Sequence, residues 1–166
     1  GNSVVFTNGD LHTHPICGKT CADGKHTDSV IWQGVSSLDA IKGEGYYYLT
    51  RNVELTDKSW TVPASGVVLC LNGKSITGAN GQDVITVSSD VTFTLTDCSS
   101  RNTGNGTVTH NEKAKGRGVY VNGGTFKMYG GSITGNTATG NDSYGGGVYV
   151  YGEETAGSTV YKGTFN

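Results

Sequence analysis

The sequence predicts an all-β chain, and three observations carry that expectation. Glycine accounts for 27 of 166 residues and proline for 2, and each glycine in a helix interior costs about 1 kcal/mol relative to alanine. Apolar residues come in short alternating runs, Val84-Ile-Thr-Val87, Val91-Thr-Phe-Thr-Leu95, Val119-Tyr-Val121, Phe126-Lys-Met128 and Val148-Tyr-Val150, the period of a strand with one buried face. The runs also recur in kind. Gly118-Val-Tyr-Val121 returns as Gly147-Val-Tyr-Val150, which marks an internal repeat of about 29 residues.

Composition removes several classes. A formal net charge of -2 with dispersed Lys and Arg leaves no basic face for nucleic acid. No stretch approaches the ~20 apolar residues of a membrane span, so this chain is not expected to insert in a membrane. The glycines follow no three-residue period, which excludes collagen, and the recurring apolar runs argue against disorder.

The elements can be laid out in order. Residues 1–44 form a loop-rich, His/Cys-containing N-terminal cap, and residues 45–166 carry the repeat. One apolar set is Trp60 and Val62, Ile85 and Val87, Val119 and Val121, Val148 and Val150. A second is Leu69 and Leu71, Phe93 and Leu95, Phe126 and Met128, with Val160; the third is Ile76, Val108, Ile133 and Phe165. Three short strands per repeat make a triangular coil whose i, i+2 pairs point inward. Stacking such coils at ~4.8 Å gives a parallel β-helix, a solenoid of about four coils. An antiparallel sandwich has similar strands and turns but does not explain residues repeating in kind. Asn72-Gly73, Asn80-Gly81, Asn105-Gly106, Asn122-Gly123 and Gly135-Asn136 mark the corners, where left-handed backbone is expected.

Gly130-Gly-Ser-Ile-Thr-Gly-Asn-Thr137, Gly145-Gly-Gly-Val-Tyr-Val150 and Gly123-Gly-Thr-Phe-Lys-Met128 resemble the right-handed parallel β-helix repeats of large secreted or cell-surface proteins of Gram-positive gut bacteria. Gly45-Tyr-Tyr-Tyr-Leu-Thr-Arg-Asn-Val-Glu-Leu55, Trp60-Thr-Val-Pro63 and Leu69-Cys-Leu-Asn-Gly73 resemble the segment that opens the solenoid in those proteins. The similarity covers about residues 11–166 and breaks at Glu153 to Ser158, where the Gly-Gly-Thr-Phe string is replaced. It implies a right-handed coil and an extracellular location. Because the last coil stops at Asn166 without a polar cap, a longer protein or self-association through the open C-terminal coil is expected.

The strongest chemical signal is His12-Thr-His-Pro-Ile-Cys-Gly-Lys-Thr-Cys-Ala-Asp-Gly-Lys-His26. Thiolate and imidazole are the ligands of tetrahedral zinc, and four protein ligands make a closed, structural site. The preferred set is His14, Cys17, Cys21 and His26, with His12 as substitute or neighbour. The family resembled carries a His-x-His segment shortly before Cys-Gly, matching His12, His14, Cys17 and Gly18. A zinc ion there would staple the cap over the first coil. The alternatives are a Cys17–Cys21 disulfide with exposed histidines, or free residues. Asp10-Leu-His-Thr-His14 also matches the entry strand of metal-dependent hydrolases, but beyond the N-terminal cluster only His110 remains downstream as a further histidine. Cys70, between Leu69 and Leu71, points outward level with Thr94. Cys98 then lies ~13 Å further along the strand, so both are expected reduced unless a corner bends Cys98 back.

A β-helix enzyme, a polysaccharide lyase or hydrolase, would need paired carboxylates on one outer face. Asp83, Asp90, Asp97, Glu112, Asp142, Glu153 and Glu154 are scattered; Asp90 and Asp97 approach one edge but suit turns. Tyr120 and Tyr149 share an outward register and offer a face to a sugar ring or a protein. The sequence therefore predicts a non-catalytic extracellular module, adhesive or stalk-like, contacting glycan or a host or cell-surface protein, with a structural zinc in its cap. The alternatives are a carbohydrate-active enzyme and a structural spacer.

Overall fold

The computed structural model describes residues 11–17, 28–98, 105–140 and 144–152, and the backbone of 164–165. The only helix among the described residues is one 3-10 turn, Leu38–Ala40, and none is long and apolar enough to cross a membrane. The chain is all-β.

Three parallel sheets carry the architecture. The first contains β3 (Gln33–Val35), β4 (Gly45–Leu49), β7 (Val67–Cys70), β10 (Thr92–Thr96), β13 (Thr125–Met128) and β16 (Thr164–Phe165). The second contains β5 (Val53–Glu54), β8 (Ser75–Gly78), β11 (Thr107–His110) and β14 (Ser132–Ile133), and the third β6 (Trp60–Thr61), β9 (Ile85–Val87), β12 (Val119–Asn122) and β15 (Val148–Tyr151). From β4 onward each paired strand finds its parallel partner three strands later. The chain thus visits the three sheets in turn, and two strands of the other sheets supply the crossover that parallel pairing requires. This order is compatible with a β-helix.

Register explains the core. Trp60, Ile85, Val119 and Val148 stand opposite one another in the third sheet, and Ile76, Val108 and Ile133 in the second. In the first sheet Val67, Phe93 and Phe126 form one inward row, with Leu69, Leu95 and Met128 beside it. Phe93 meets Trp60 edge-on at 5.6 Å and stacks on Phe126 at 5.8 Å. Val67, Leu69, Ile76, Ile85, Phe93, Leu95, Val119 and Phe126 are fully buried, each worth about 1.5–3 kcal/mol relative to exposure.

Two expectations about the rows are corrected. Phe165 pairs with Phe126 in the first sheet and does not join Ile76, Val108 and Ile133. Gly163-Thr-Phe165 repeats Gly124-Thr-Phe126, and loop length is thermodynamically cheap, so the string re-enters its own sheet after a longer connection. Val160 lies outside the described residues. In the first sheet Phe93 sits opposite Val67 rather than Leu69, a register shift of two that keeps every side chain on its face.

At the corners, Asn72, Gly73, Gly81, Gly123 and Gly135 have positive φ. Gly106 does not; a Cβ there would strike the Leu71 side chain, so close approach rather than left-handed backbone demands glycine. Polar corner side chains tie successive turns: Asn52 Oδ1 accepts the Ser75 N–H, and the Asp97 carboxylate accepts the Gly73 and Gly106 N–H groups at 2.8 and 2.7 Å. Asp90 sits at φ 65 in a turn, so of the two residues weighed as a catalytic pair, Asp97 serves the backbone and Asp90 occupies a left-handed turn position.

The N-terminal residues fold back as a hairpin. β1 (Thr13–Pro15) pairs antiparallel with β2 (Ser29–Ile31), and Trp32 N–H extends the ladder to His12 O.

Candidate metal centre

The site begins with the outer face of the first sheet. Gly34, Tyr48, Cys70 and Thr96 occupy one outward row across β3, β4, β7 and β10. Because Cys70 is opposite Thr96 and not Thr94, Cys98 is two residues past its level, about 7 Å along a strand rather than the ~13 Å expected. β10 ends at Thr96, and Asp97 anchors the following turn through Gly73 and Gly106. Cys98 is thereby brought back over Cys70.

The hairpin supplies the other half. His12 and His14 flank Thr13, so strand alternation puts both on the same side. His12 stacks on Tyr48 at 3.9 Å and 7°, and His14 stacks on Trp32 at 4.3 Å and 19°. Trp32 Nε1–H donates to His14 O at 3.0 Å, fixing the strand that carries the ring. Cys70, although on the outward face, is 0% exposed.

One ligand atom each from His12, His14, Cys70 and Cys98 lies within 4.8 Å of the others. Zinc bonds of ~2.0 Å to nitrogen and ~2.3 Å to sulfur make tetrahedral edges of about 3.3–3.8 Å, and His12 Nε2 is already 3.3 Å from Cys98 Sγ. His14 provides an independent test of fit. Its Nδ1 lies 2.6 Å from Pro15 O, an acceptor, so Nδ1 carries the hydrogen and the Nε2 lone pair is left free. That Nε2 is buried and has no hydrogen-bond partner, an arrangement that normally costs ~1–3 kcal/mol and that an ion among the thiolates removes. The Pro15 carbonyl is the kind of outer partner that orients metal-bound histidine.

Electrostatics favour ligand chemistry. The thiol of Cys70 donates to Cys98 and, against burial, holds the Cys98 thiol well below its ordinary pKa, with His14 and His12 adding to the shift. The same hydrogen bond and burial push Cys70 up. Burial lowers His12. Burial also pulls on His14, but Cys98, the Pro15 carbonyl and Asp97 outweigh it and the net shift is upward. The four residues could hold one divalent ion with two sulfur and two nitrogen donors, a closed set with structural character.

The sequence-predicted ligands distribute as follows. His12 and His14 enter the group; Cys17 is buried but outside it; Cys21 and His26 lie outside the described residues. Cys70 and Cys98 are the members of the group that sequence reasoning missed. The available signal was an outward cysteine in a sheet whose outward neighbours Tyr46 and Tyr48 are large enough to support a covering segment. A register error of two residues hid it.

On the third sheet, Tyr120 stands opposite Tyr149, their rings stacked at 5.6 Å and 10°. Tyr144, 64% exposed, continues the stack at 6.1 Å. The Arg117 guanidinium lies 4.1 Å from the Tyr120 centroid and forms a two-pronged pair with Asp83 at 2.9 and 2.8 Å. His110 is buried between Asn136 Oδ1 at 2.7 Å and Gln82 O at 2.8 Å, both ring nitrogens engaged in joining successive turns. Set against family models, curated proteins and solved structures, the chain matches none of them.

Proposed function

We propose that this chain is a non-catalytic, extracellular surface module: a right-handed parallel β-helix acting as a stiff stalk, whose N-terminal hairpin is fastened by a structural zinc ion. The observation that carries the reading is the convergence of His12, His14, Cys70 and Cys98 within 4.8 Å, with the His14 lone pair buried and unpartnered. The zinc would neutralise two thiolates and cross-link hairpin to sheet. The protein residues do the rest: Pro15 O sets the His14 tautomer, and Tyr48 and Trp32 hold the rings against rotation.

Elemental analysis of the purified chain tests this. One zinc per chain is expected, reduced by Cys70→Ser or His14→Ala and retained in Cys17→Ser. Retention in Cys70→Ser with loss in both His14→Ala and Cys17→Ser would instead support the ligand set His14, Cys17, Cys21 and His26. A metal-free chain under all loading conditions would end the zinc reading.

A second reading concerns the contact surface of the stalk. The Tyr120, Tyr149 and Tyr144 stack, flanked by the Arg117–Asp83 pair, offers flat apolar faces beside polar groups, which suits a sugar ring. NMR titration with neutral oligosaccharides should shift Tyr144 and Tyr149 signals, and Tyr144→Ala should abolish the shifts. The absence of any shift across such a panel would leave the ladder a packing device.

A further inference from the structure

We infer that Cys70 and Cys98 are also a modification site: a dithiol that closes to a disulfide in exchange for the metal ion and thereby releases the N-terminal hairpin. The proposal shares its site with the zinc reading and depends on it only for the ion that is displaced. It stands on placement. Both sulfurs belong to the body of the first sheet, Cys70 at the end of β7 and Cys98 just beyond β10, and their Sγ atoms lie within 4.8 Å. Neither is in a disulfide here. Both nitrogens belong to the hairpin segment, at and just before β1. A metal ion therefore ties hairpin to sheet, whereas a disulfide ties sheet to sheet and leaves the hairpin no covalent or coordinate link to it at this site.

The chemistry balances with a small-molecule disulfide as oxidant. Cys70 is fully buried and Cys98 only partly so, so Cys98 is the sulfur that meets the reagent. Its thiolate attacks one sulfur of the oxidant, the oxidant's S–S bond breaks, and one thiolate leaves. Cys70 then attacks the Cys98 sulfur of the mixed disulfide and expels the second thiolate. Two electrons pass to the oxidant; because both cysteines are thiolates while the ion is bound, the two released thiolates take any protons they gain from solvent. The ion, having lost both sulfur ligands, departs to solvent. What remains is His12 against Tyr48 and Trp32 against Tyr46, with His14 held to Trp32 by ring stacking and by the indole N–H bond to its carbonyl; without the four-ligand cross-link these contacts let the hairpin open more often.

The experiment uses the whole 166-residue chain loaded with zinc. Glutathione disulfide is added with and without EDTA, samples are quenched with an alkylating agent, and tryptic peptides are mapped. Lys58, Lys74 and Arg101 place Cys70 and Cys98 on different peptides, and Lys19 and Lys25 separate Cys17 from Cys21. A linked pair of peptides containing Cys70 and Cys98 is expected, formed in step with zinc release. Backbone amide exchange at His14 and Ile31 should quicken by at least about tenfold while β7 and β10 stay protected. Dithiothreitol with added zinc should restore both states. Alkylation of both cysteines, a stable glutathione adduct on Cys98 without the link, or a link that leaves the hairpin protected would each overturn the proposal. If zinc never binds but the link forms and the hairpin loosens, the zinc reading falls and the exchange-competent dithiol stands. Should chelation unfold the chain, the sample without EDTA still decides, through linkage and zinc release in the folded protein.

Discussion

The interior of the three sheets and the outer face beneath the β1–β2 hairpin are built from alternate residues of the same strands, yet they are held by different physics. Inside, Phe93, Phe126, Leu69 and Leu95 stack on their own kind from turn to turn, and dispersion and burial do the work in small, nearly interchangeable increments. Outside, Tyr48, Cys70 and Thr96 follow one another in a row and gain their meaning from a segment more than thirty residues upstream. The lesson is that a repeat protein can hide a specific site in the half of each strand that does not repeat.

The comparison can be broken most forcefully in the interior. Phe93→Ala removes a ring packed between Trp60 and Phe126 and should cost about 3–5 kcal/mol, a large share of a typical ~5–15 kcal/mol. Urea denaturation should show the same loss with and without a chelator. A loss that vanishes on chelation would mean the two regions are one cooperative unit.

Removing the proposed zinc ion should act next, and locally. At free zinc about 1,000-fold above its dissociation constant, binding contributes about 4 kcal/mol, and the hairpin is where it is spent. Chelation is expected to raise amide exchange at Thr13 and Val30 and leave Val108 and Val121 unchanged. Equal acceleration in the core would contradict the separation.

Acidification sharpens the same distinction. Zinc requires neutral imidazole and thiolate, so falling pH releases it. His14, whose pKa is raised, takes up its proton at a higher pH than His12, whose pKa burial lowers. The raised group favours the metal-free folded chain at low pH and loses that contribution as pH rises through its folded value; the lowered group does the reverse, contributing above the ordinary pKa of 6.5 and losing it below. A zinc indicator should therefore register release as pH falls, and His14→Ala should remove the higher-pH part of the proton uptake. An unchanged profile in that variant would assign the titration elsewhere.

The smallest effect belongs to the third sheet's outer face. Arg117→Lys keeps the charge but loses the paired contact with Asp83 and the flat approach to Tyr120, worth about 0.5–1 kcal/mol at a partly exposed position. A shift in melting temperature within error of zero would show that the tyrosine stack needs no clamp.

Much of the interior was legible in the residues. The set Trp60, Ile85, Val119 and Val148 was assembled from alternation and recurrence alone, and the structure aligns these residues in parallel register. Phe165 was misplaced because its loop length departs from the repeat, and loops carry little pattern. The candidate metal centre was half legible. His12-x-His14 announces ligand chemistry by spacing, whereas Cys70 and Cys98 are separated from it by more than fifty residues and align only once register is known. A shift of two leaves alternation intact, so hydrophobic pattern could not reveal the error, yet it changes reach by ~7 Å, enough to decide whether two sulfurs meet.

The sequence by itself determined an all-β chain of short recurring strands, which side chains face inward, and that His12 and His14 share a face. These follow from local rules, the two-residue period of a strand and the conformational freedom of glycine. Tertiary structure alone decided that the hairpin lies over the outer row of the first sheet, that Asp97 turns the chain after β10, and that Cys70 and Cys98 complete the pair of histidines. Those facts depend on register between strands and on the path of a corner, neither of which local pattern encodes.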